Sequence, residues 1–361
     1  MVDTGSHKMY AAGFYSKFCR NNFLYPHPSK TNVFISFLLK LIKNNEYDIL
    51  LPVGYDTTIG ISMFKDAFLP HVKLPIADYD KLRVAANKSE TLKLAEKIGI
   101  PCPKIFHPQN FREISEMAEK LQYPVVVKGI TESGEVRYVN SPRELIQEHE
   151  RMSKTLLREE EFPIIQEYIP GVGYGFFALF NQGKVKALFM HRRVREYPAT
   201  GGPSTSAESV YEPKLMEYGL RMLRELKWHG VAMVEFKRDT RDGEFKLMEV
   251  NPKFWGSLDL AIASGVDFPF LACKMAVDGD IEPVLTYKFG VRFNWPLPDE
   301  FKHFVSKPTS IKEIIKDLLN KNMNHNIDFH DLKPNTIQLL EMMYYLIRNY
   351  GSMRFPHGKP V

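Results

Sequence analysis

The sequence predicts an α+β protein of two lobes, preceded by a small α/β unit and followed by a helical tail. Three observations lead there. Two hairpins are written in polar turns: Tyr174–Phe180 with Lys184–His191 around Asn181-Gln182-Gly183, and Val231–Arg238 with Glu244–Val250 around Asp239–Gly243. From Asn87 onward, capped amphipathic helices alternate with short β-branched runs. A hydrophobic share of 44% with 25% charged residues over 361 residues describes a globular chain with room for two or three cores.

Residues 1–86 read as the α/β unit. Val2-Asp3-Thr4 is a strand end, Asn32–Asn44 a helix and Tyr47–Val53 a short buried strand. The loop Gly54–Thr58 lies where open α/β sheets bind ligands, or else simply connects. With no glycine-rich first turn ahead of it, the unit resembles a doubly wound domain lacking its first strand.

Residues 87–169 form the second unit. Asn87-Lys88-Ser89-Glu90 caps a helix that runs to Ile98 and stops at Gly99-Ile100-Pro101. Phe111–Leu121 is a helix, and Tyr123–Lys128 a β-branched strand whose terminal lysine either snorkels to water or meets an anion. The loop Gly129–Arg137, with Ser133 and Gly134, is rich enough in small residues for its backbone N–H groups to fold over phosphate. Ser141-Pro142-Arg143-Glu144 opens a long helix, and Phe162–Ile169 is a strand.

Residues 170–295 open on Pro170-Gly171-Val172-Gly173, which reads as a hinge between lobes. The first hairpin delivers His191-Arg192-Arg193-Val194-Arg195 and then Thr200–Ser206. Arginines beside a Gly/Ser/Thr loop suit an anion, because guanidinium matches carboxylate or phosphate bidentately; the alternative is a plain surface loop. Glu212–Leu226, Asp259–Ser264 and Phe268–Asp278 are helices and Val284–Trp295 a strand, on which Arg292 either stacks against aromatics or reaches a substrate. Residues 296–361 hold two helices, one capped by Ser310-x-x-Glu313 and the other spanning Thr336–Asn349. Their apolar stripes pack internally or form a homodimer seam.

The second hairpin carries the chemistry. Alternation puts Met233, Glu235 and Lys237 on one face of its first strand, and Leu247, Glu249 and Asn251 on one face of the next. If Arg238 pairs with Glu244, Glu235 lies opposite Leu247, and the two glutamates sit diagonally, roughly 7–8 Å apart. Two carboxylates and an amide oxygen suit Mg²⁺, and Lys253 adds a positive charge fit for a phosphoryl group. A solvated hairpin edge is the plain alternative. Against it stands the ending Glu249-Val250-Asn251-Pro252-Lys253, which groups acid, amide and base on an apolar strand.

Composition narrows the partners. A net charge of +5 with basic and acidic residues interleaved favours an anionic small molecule over nucleic acid. Three cysteines, without metal spacing, fit a reducing cytoplasm. No apolar run is long enough to span a bilayer, and no signal-peptide core opens the chain.

With Lys88, Lys128, the Gln166-Glu167-Tyr168-Ile169 strand and the second hairpin in this order, the chain resembles the ATP-grasp superfamily over residues 30–300. Within it the pattern is most similar to carbamoyl-phosphate-synthase-like and D-aspartate-ligase-like carboxylate–amine ligases. The resemblance implies an ATP-grasp fold, two lobes clamping ATP, behind a truncated Rossmann-like domain. It implies that Lys88 and Lys128, with the loop at Ser133 and Gly134, hold the phosphates, and that Gln166, Glu167 and Ile169 read adenine largely through backbone groups. Tyr174 stands near the place where many members hold ribose with an acid. Glu235, Glu249 and Asn251 match the ligands of Mg²⁺ (or Mn²⁺), while Lys253 and Arg193 match catalytic cations. Arg192, Gly201, Gly202 and Arg292 fall at the substrate end. The implied reaction joins a small-molecule carboxylate to an amine through an acyl phosphate; a small-molecule kinase and a silent ATP-binding regulator are the alternatives on this scaffold.

Overall fold

In the computed structural model the described residues are 2–3, 11–129, 135–155, 162–199 and 201–349. The predicted phosphate-loop residues Ser133 and Gly134 therefore lie outside them, as does Thr200.

The leading unit comprises β1 (Val2–Asp3), β2 (Phe23–Leu24), α1 (Thr31–Lys43), α2 (Tyr55–Met63), α3 (Lys65–Phe68) and α4 (Tyr79–Ala86). Two expectations fail here. Tyr47–Val53 makes only an isolated bridge, Ile49 to Lys73, and the supposed loop Gly54–Thr58 is the start of α2, with Gly54 as its N-cap. Leu50, Leu51 and Val53 are not fully buried, so the run lacks a second strand to pair with and a core deep enough to demand one. The unit's own core gathers Phe34, Ile35, Leu38, Ile61 and Phe68.

The first lobe follows: α5 (Lys88–Lys97), β3 (Ile105–Phe106), α6 (Phe111–Ala118), β4 (Val125–Lys128), β5 (Val136–Val139), α7 (Pro142–Thr155) and β6 (Ile164–Glu167). Its strands form an antiparallel sheet in the order β3-β6-β4-β5. Alternation divides β4 cleanly. Val125 and Val127 enter a core with Ile114, Leu145 and Met152 of α6 and α7, while Val126 and Lys128 face the other way. The cap at Asn87 forms as expected, Glu90 N–H donating to Asn87 Oδ1 at 3.0 Å.

The second lobe holds β7 (Gly171–Asn181), β8 (Lys184–Glu196), β9 (Ser204–Ser209), α8 (Pro213–Glu225), β10 (Gly230–Asp239), β11 (Phe245–Asn251), α9 (Leu258–Ala263), α10 (Phe268–Asp278) and β12 (Arg292–Asn294). The tail adds α11 (Phe301–Ser306), α12 (Ile311–Leu318), β13 (Met323–His325) and α13 (Leu332–Asn349). Among the described residues a seven-stranded sheet runs β11-β10-β7-β8-β9-β12-β13. Apolar cores cover both its faces. Phe176, Phe180, Val234, Phe236 and Leu247 meet α4, α5 and α8, whereas Phe177, Phe189, Trp255 and Phe268 lie with α9 and α10.

Several boundaries differ from expectation. Pro170–Gly173 is no open hinge, because Gly171 already pairs with Asp239 in the sheet. Val284–Trp295 is strand only at β12. The tail is not purely helical, since β13 pairs parallel with β12 and extends the sheet. Ser310 does not cap α12; its hydroxyl donates to Lys307 O in the preceding turn.

Candidate active site

The register of β10 and β11 is the main correction. Arg238 pairs with Phe245, Lys237 with Lys246 and Phe236 with Leu247; then the register shifts, and Glu235 pairs with Glu249 and Met233 with Asn251. Met248 is thus the extra residue of a β-bulge. Without it, Leu247 and Glu249 would share a face. With it, Leu247 turns into the helix-side core and Glu249 to the opposite side, beside Glu235. Directly opposed strand residues sit about 5 Å apart at Cβ, closer than the diagonal pair expected from sequence.

Two like charges at that spacing need cations. Arg193 Nη2 lies 2.6 Å from Glu235 Oε2, and Lys88 Nζ 3.4 Å from Glu249 Oε2. Asn251 Nδ2 donates to Glu249 Oε1 at 3.1 Å. Burial pushes Glu235 above the usual carboxylate range, Arg193 opposing and Glu249 reinforcing it. Burial also acts to raise Glu249, yet Lys88 and Lys128 outweigh it and hold that carboxyl low. Lys128, at the end of β4, is driven down to about 8 by burial, with Glu249 pulling the other way and Lys88 adding to the fall.

Arg193 reaches Glu235 because of a glycine. In register, Gly173 of β7 lies beside Lys237 of β10, and His191 of β8, Gly175 of β7 and Glu235 of β10 form the next row. A Cβ on Gly173 would stand 2.7 Å from Arg193 Cδ and 2.8 Å from Glu196 Oε1. The bare backbone lets the arginine lie across β7. Burial opposes its charge, but Glu235 and Glu196 hold it firmly protonated.

These groups line a cleft of about 350 Å³ between the two sheets. The first lobe supplies Val126, Lys128, Val136, Tyr138 and the Glu167–Ile169 strand end, with Lys88 from α5; the second supplies His191, Arg193, Glu235, Glu249, Asn251 and Lys253. Gly201 and Gly202 also border it, Gly201 at φ +132° packed where a Cβ would meet the Tyr138 hydroxyl at 2.6 Å. Glu167 spends its side chain on Arg241 (2.7 Å) and the Lys104 N–H (3.1 Å), and its own N–H donates to Lys104 O at 2.9 Å. Lys237 Nζ donates to Ile169 O at 2.7 Å and fixes that segment to the second lobe.

Four expected residues are elsewhere. Arg192 points away from Arg193 and pairs with Glu208 at 2.8 Å. Tyr174 is buried in the helix-side core, edge-on to Phe245. Arg292 pairs with Asp317 at 3.4 Å instead of stacking or entering the cleft. Gln166 is buried with Nε2 unpartnered and does not line the cleft. Conversely, Tyr138, Glu196, His191, Lys237 and Trp255 line it without having been singled out as site residues. For Lys237 the signal was present, because strand alternation already put it on the face of Glu235.

Among the described residues no group of three or more His, Cys, Asp and Glu forms a metal centre. An ion here would rest on two carboxylates and the Asn251 amide and fill its shell with ligand oxygens and water, a donor set that fits Mg²⁺. Arg193 and Lys88 stand against the carboxylates as a cation would.

A four-stranded and a seven-stranded sheet closing on such a cleft are the two lobes of an ATP-grasp fold. Its relatives in sequence and in structure include ligases. Residues 159–296 match the family described as ATP-grasp in the biosynthetic pathway with Ter operon. D-aspartate ligase of Enterococcus faecium (strain Aus0004) is 22% identical, over 90% of this chain and 83% of its own. The carbamoyl phosphate synthase large chain of Pyrococcus furiosus is 23% identical over 55% of this chain but only 19% of its own length. In structure, the biotin carboxylase domain of Hydrogenobacter thermophilus 2-oxoglutarate carboxylase, solved with MgADP and bicarbonate, gives a TM-score of 0.65 at 13% identity, covering 78% of this chain and 66% of that one. L-amino acid ligase from Bacillus licheniformis gives 0.59 at 17% identity, covering 73% and 64%. No helix among the described residues is long and apolar enough to cross a membrane.

Proposed function

We propose that the enzyme phosphorylates a substrate carboxylate with ATP and passes the resulting acyl group to an amine, releasing ADP and phosphate. The observation that carries this is the direct pairing of Glu235 with Glu249 in a cleft walled by Lys88, Lys128, Arg193 and Lys253. A carboxylate and an amine do not condense at neutral pH because the departing oxygen is too basic. Phosphorylation supplies a leaving group, and such transfer needs positioning and charge neutralisation more than a protein nucleophile.

In this reading the backbone at Glu167–Ile169 meets the adenine, and Lys88 and Lys128 hold the phosphates. Arg193 and Lys253 face the charge that builds on the transferred phosphoryl group. Glu235, Glu249 and Asn251 would hold Mg²⁺ or Mn²⁺, which when bound neutralises phosphate oxygens. The names of D-aspartate ligase and L-amino acid ligase support an amino acid as one substrate. Exposed Ile315 and Leu318 on α12, Leu319 just past it and Ile347 on α13 support self-association, which sedimentation velocity would test.

Hydroxylamine tests the chemistry directly. With ATP, MgCl₂ and a panel of carboxylic acids that includes the L- and D-amino acids, the enzyme should form a hydroxamate in step with ADP. ADP without hydroxamate would mean that phosphoryl transfer ends on another group, and the ligase reading would fail.

A further inference from the structure

The matched family region ends at residue 296, yet the cleft wall does not. Asp299, from the turn Pro296–Glu300 at the head of the tail, lines the cleft together with Glu196, Ser204, Trp255 and Ser257. The turn is fixed on all sides. Buried Glu300 accepts from Arg195 Nε at 3.0 Å and from the Thr205 hydroxyl at 2.6 Å; Asn326 Nδ2 donates to Leu297 O at 3.0 Å. His303 Nδ1 lies 2.6 Å from Glu196 O, tying the next helix to the end of β8. So much anchoring holds the Asp299 carboxylate at the cleft, where Lys302 Nζ pairs with it at a long 3.5 Å.

The surroundings lack what they would need if nothing bound there. Trp255 Nε1 and both ring nitrogens of His191 are buried in the cleft wall with no protein partner. Burial and Arg193 keep His191 neutral, down to about 3, so it offers hydrogen bonds and no charge. Burial also lifts Asp299 above the usual carboxylate range, with Lys302 opposing it and Glu300 adding to the rise.

We infer that Asp299 binds the ammonium group of a substrate, with His191 and Trp255 contributing hydrogen bonds beside it, so that the tail completes the substrate site. This rests on the ligase reading and names the chemistry that one of its substrates carries. The ammonium belongs either to the acid that is phosphorylated or to the amine before it gives up its proton and attacks. Two arms of one experiment separate these.

In the first arm, wild type and Asp299→Asn are compared in the hydroxamate assay with amino acids and their des-amino analogues, hydroxylamine serving as an uncharged acceptor. A tenfold or greater rise in the variant's KM for the amino acid, with KM for ATP and for the des-amino acid unchanged, assigns the ammonium to the donor. In the second arm, the same proteins are compared in ADP release with the donor so found and a panel of amino acids and alkylamines as acceptors. A tenfold rise confined to the acceptor's KM assigns it there. Lys302→Met, which removes the neighbouring cation, should move the same KM downward, a shift that loss of folding would not produce. If the donor arm is unchanged, and either the acceptor arm is unchanged or no amine competes with hydroxylamine, the Asp299 assignment is wrong while the ligase reading stands. If wild type forms no hydroxamate with any acid, both fall.

Discussion

Arg193 and Arg195 are two residues apart on one strand, and they serve opposite purposes. Arg193 crosses Gly173 to meet Glu235 in the cleft. A register shift at Val194 sends Arg195 the other way, where it contacts Glu300 at 2.9 Å and Asp317 at 2.6 Å in a buried knot that joins the tail to β8. Arg192, between His191 and Arg193, reaches half-buried Glu208. Both buried clusters set arginine against two acids, but only one is internally balanced in geometry. In the knot the acids arrive from separate elements and converge on the arginine. In the cleft the acids face each other across a bulged hairpin and draw on cations from three other elements. The lesson is that a site shows itself by charges held together against their own repulsion, not by the density of charge in the sequence.

The sharpest break in that comparison is Glu249→Gln. It should cut ADP formation by about a thousandfold, as expected when a group that organises charge in the transition state is lost. Its melting temperature should stay close to wild type, because one of two opposed carboxylates has gone. A cleft acid that could be neutralised without loss of turnover would be structural after all.

Arg195→Met should do the reverse. Leaving Glu300 and Asp317 buried without their guanidinium costs about 3–5 kcal/mol of stability, readable as a lowered urea midpoint, while any protein still folded retains its KM for ATP. A stable variant would show that the knot matters little to the tail's docking.

A smaller effect follows from Lys128, held near 8 in the folded protein against an ordinary 10.5. Between those values the unfolded chain keeps a proton that the folded one has released, so this group adds stability as pH rises from about 8 to about 10.5. Phosphate binding runs the other way: KM for ATP should rise as pH passes 8 and the ammonium is lost. Lys128→Arg, charged throughout, should flatten that rise. Smallest of all, Arg192→Ala should shift stability by no more than about 1 kcal/mol and leave turnover as in wild type, since its pair with Glu208 faces solvent.

Much of the frame was legible from sequence because its signals are local. The hairpin at Asn181-Gln182-Gly183, the cap at Asn87 and the strand that ends on Lys128 each follow from neighbouring residues, and each forms. What escaped was set by longer-range geometry. The bulge at Met248 leaves no local mark, because Leu247, Met248 and Glu249 read as ordinary alternation until a partner strand fixes which residue is extra. Tyr47–Val53 looked like a strand by composition but found only one bridging partner. Asp299 was invisible for a different reason: a turn that reads Pro-Leu-Pro-Asp-Glu becomes a cleft wall only once Arg195, more than a hundred residues earlier, has seized Glu300. Arg192, Tyr174, Gln166 and Arg292 were placed by sequence order, and order does not decide which way a side chain points.

The most direct test is calorimetry of ATP binding with and without Mg²⁺, in wild type and in Glu235→Gln/Glu249→Gln. In wild type the opposed carboxylates should repel a bare triphosphate, and Mg²⁺ should tighten binding at least tenfold. In the double variant that dependence should vanish, with ATP binding equally well in either condition. The same Mg²⁺ dependence in both proteins would contradict the assignment of this acid pair to the metal and, with it, the account of the cleft.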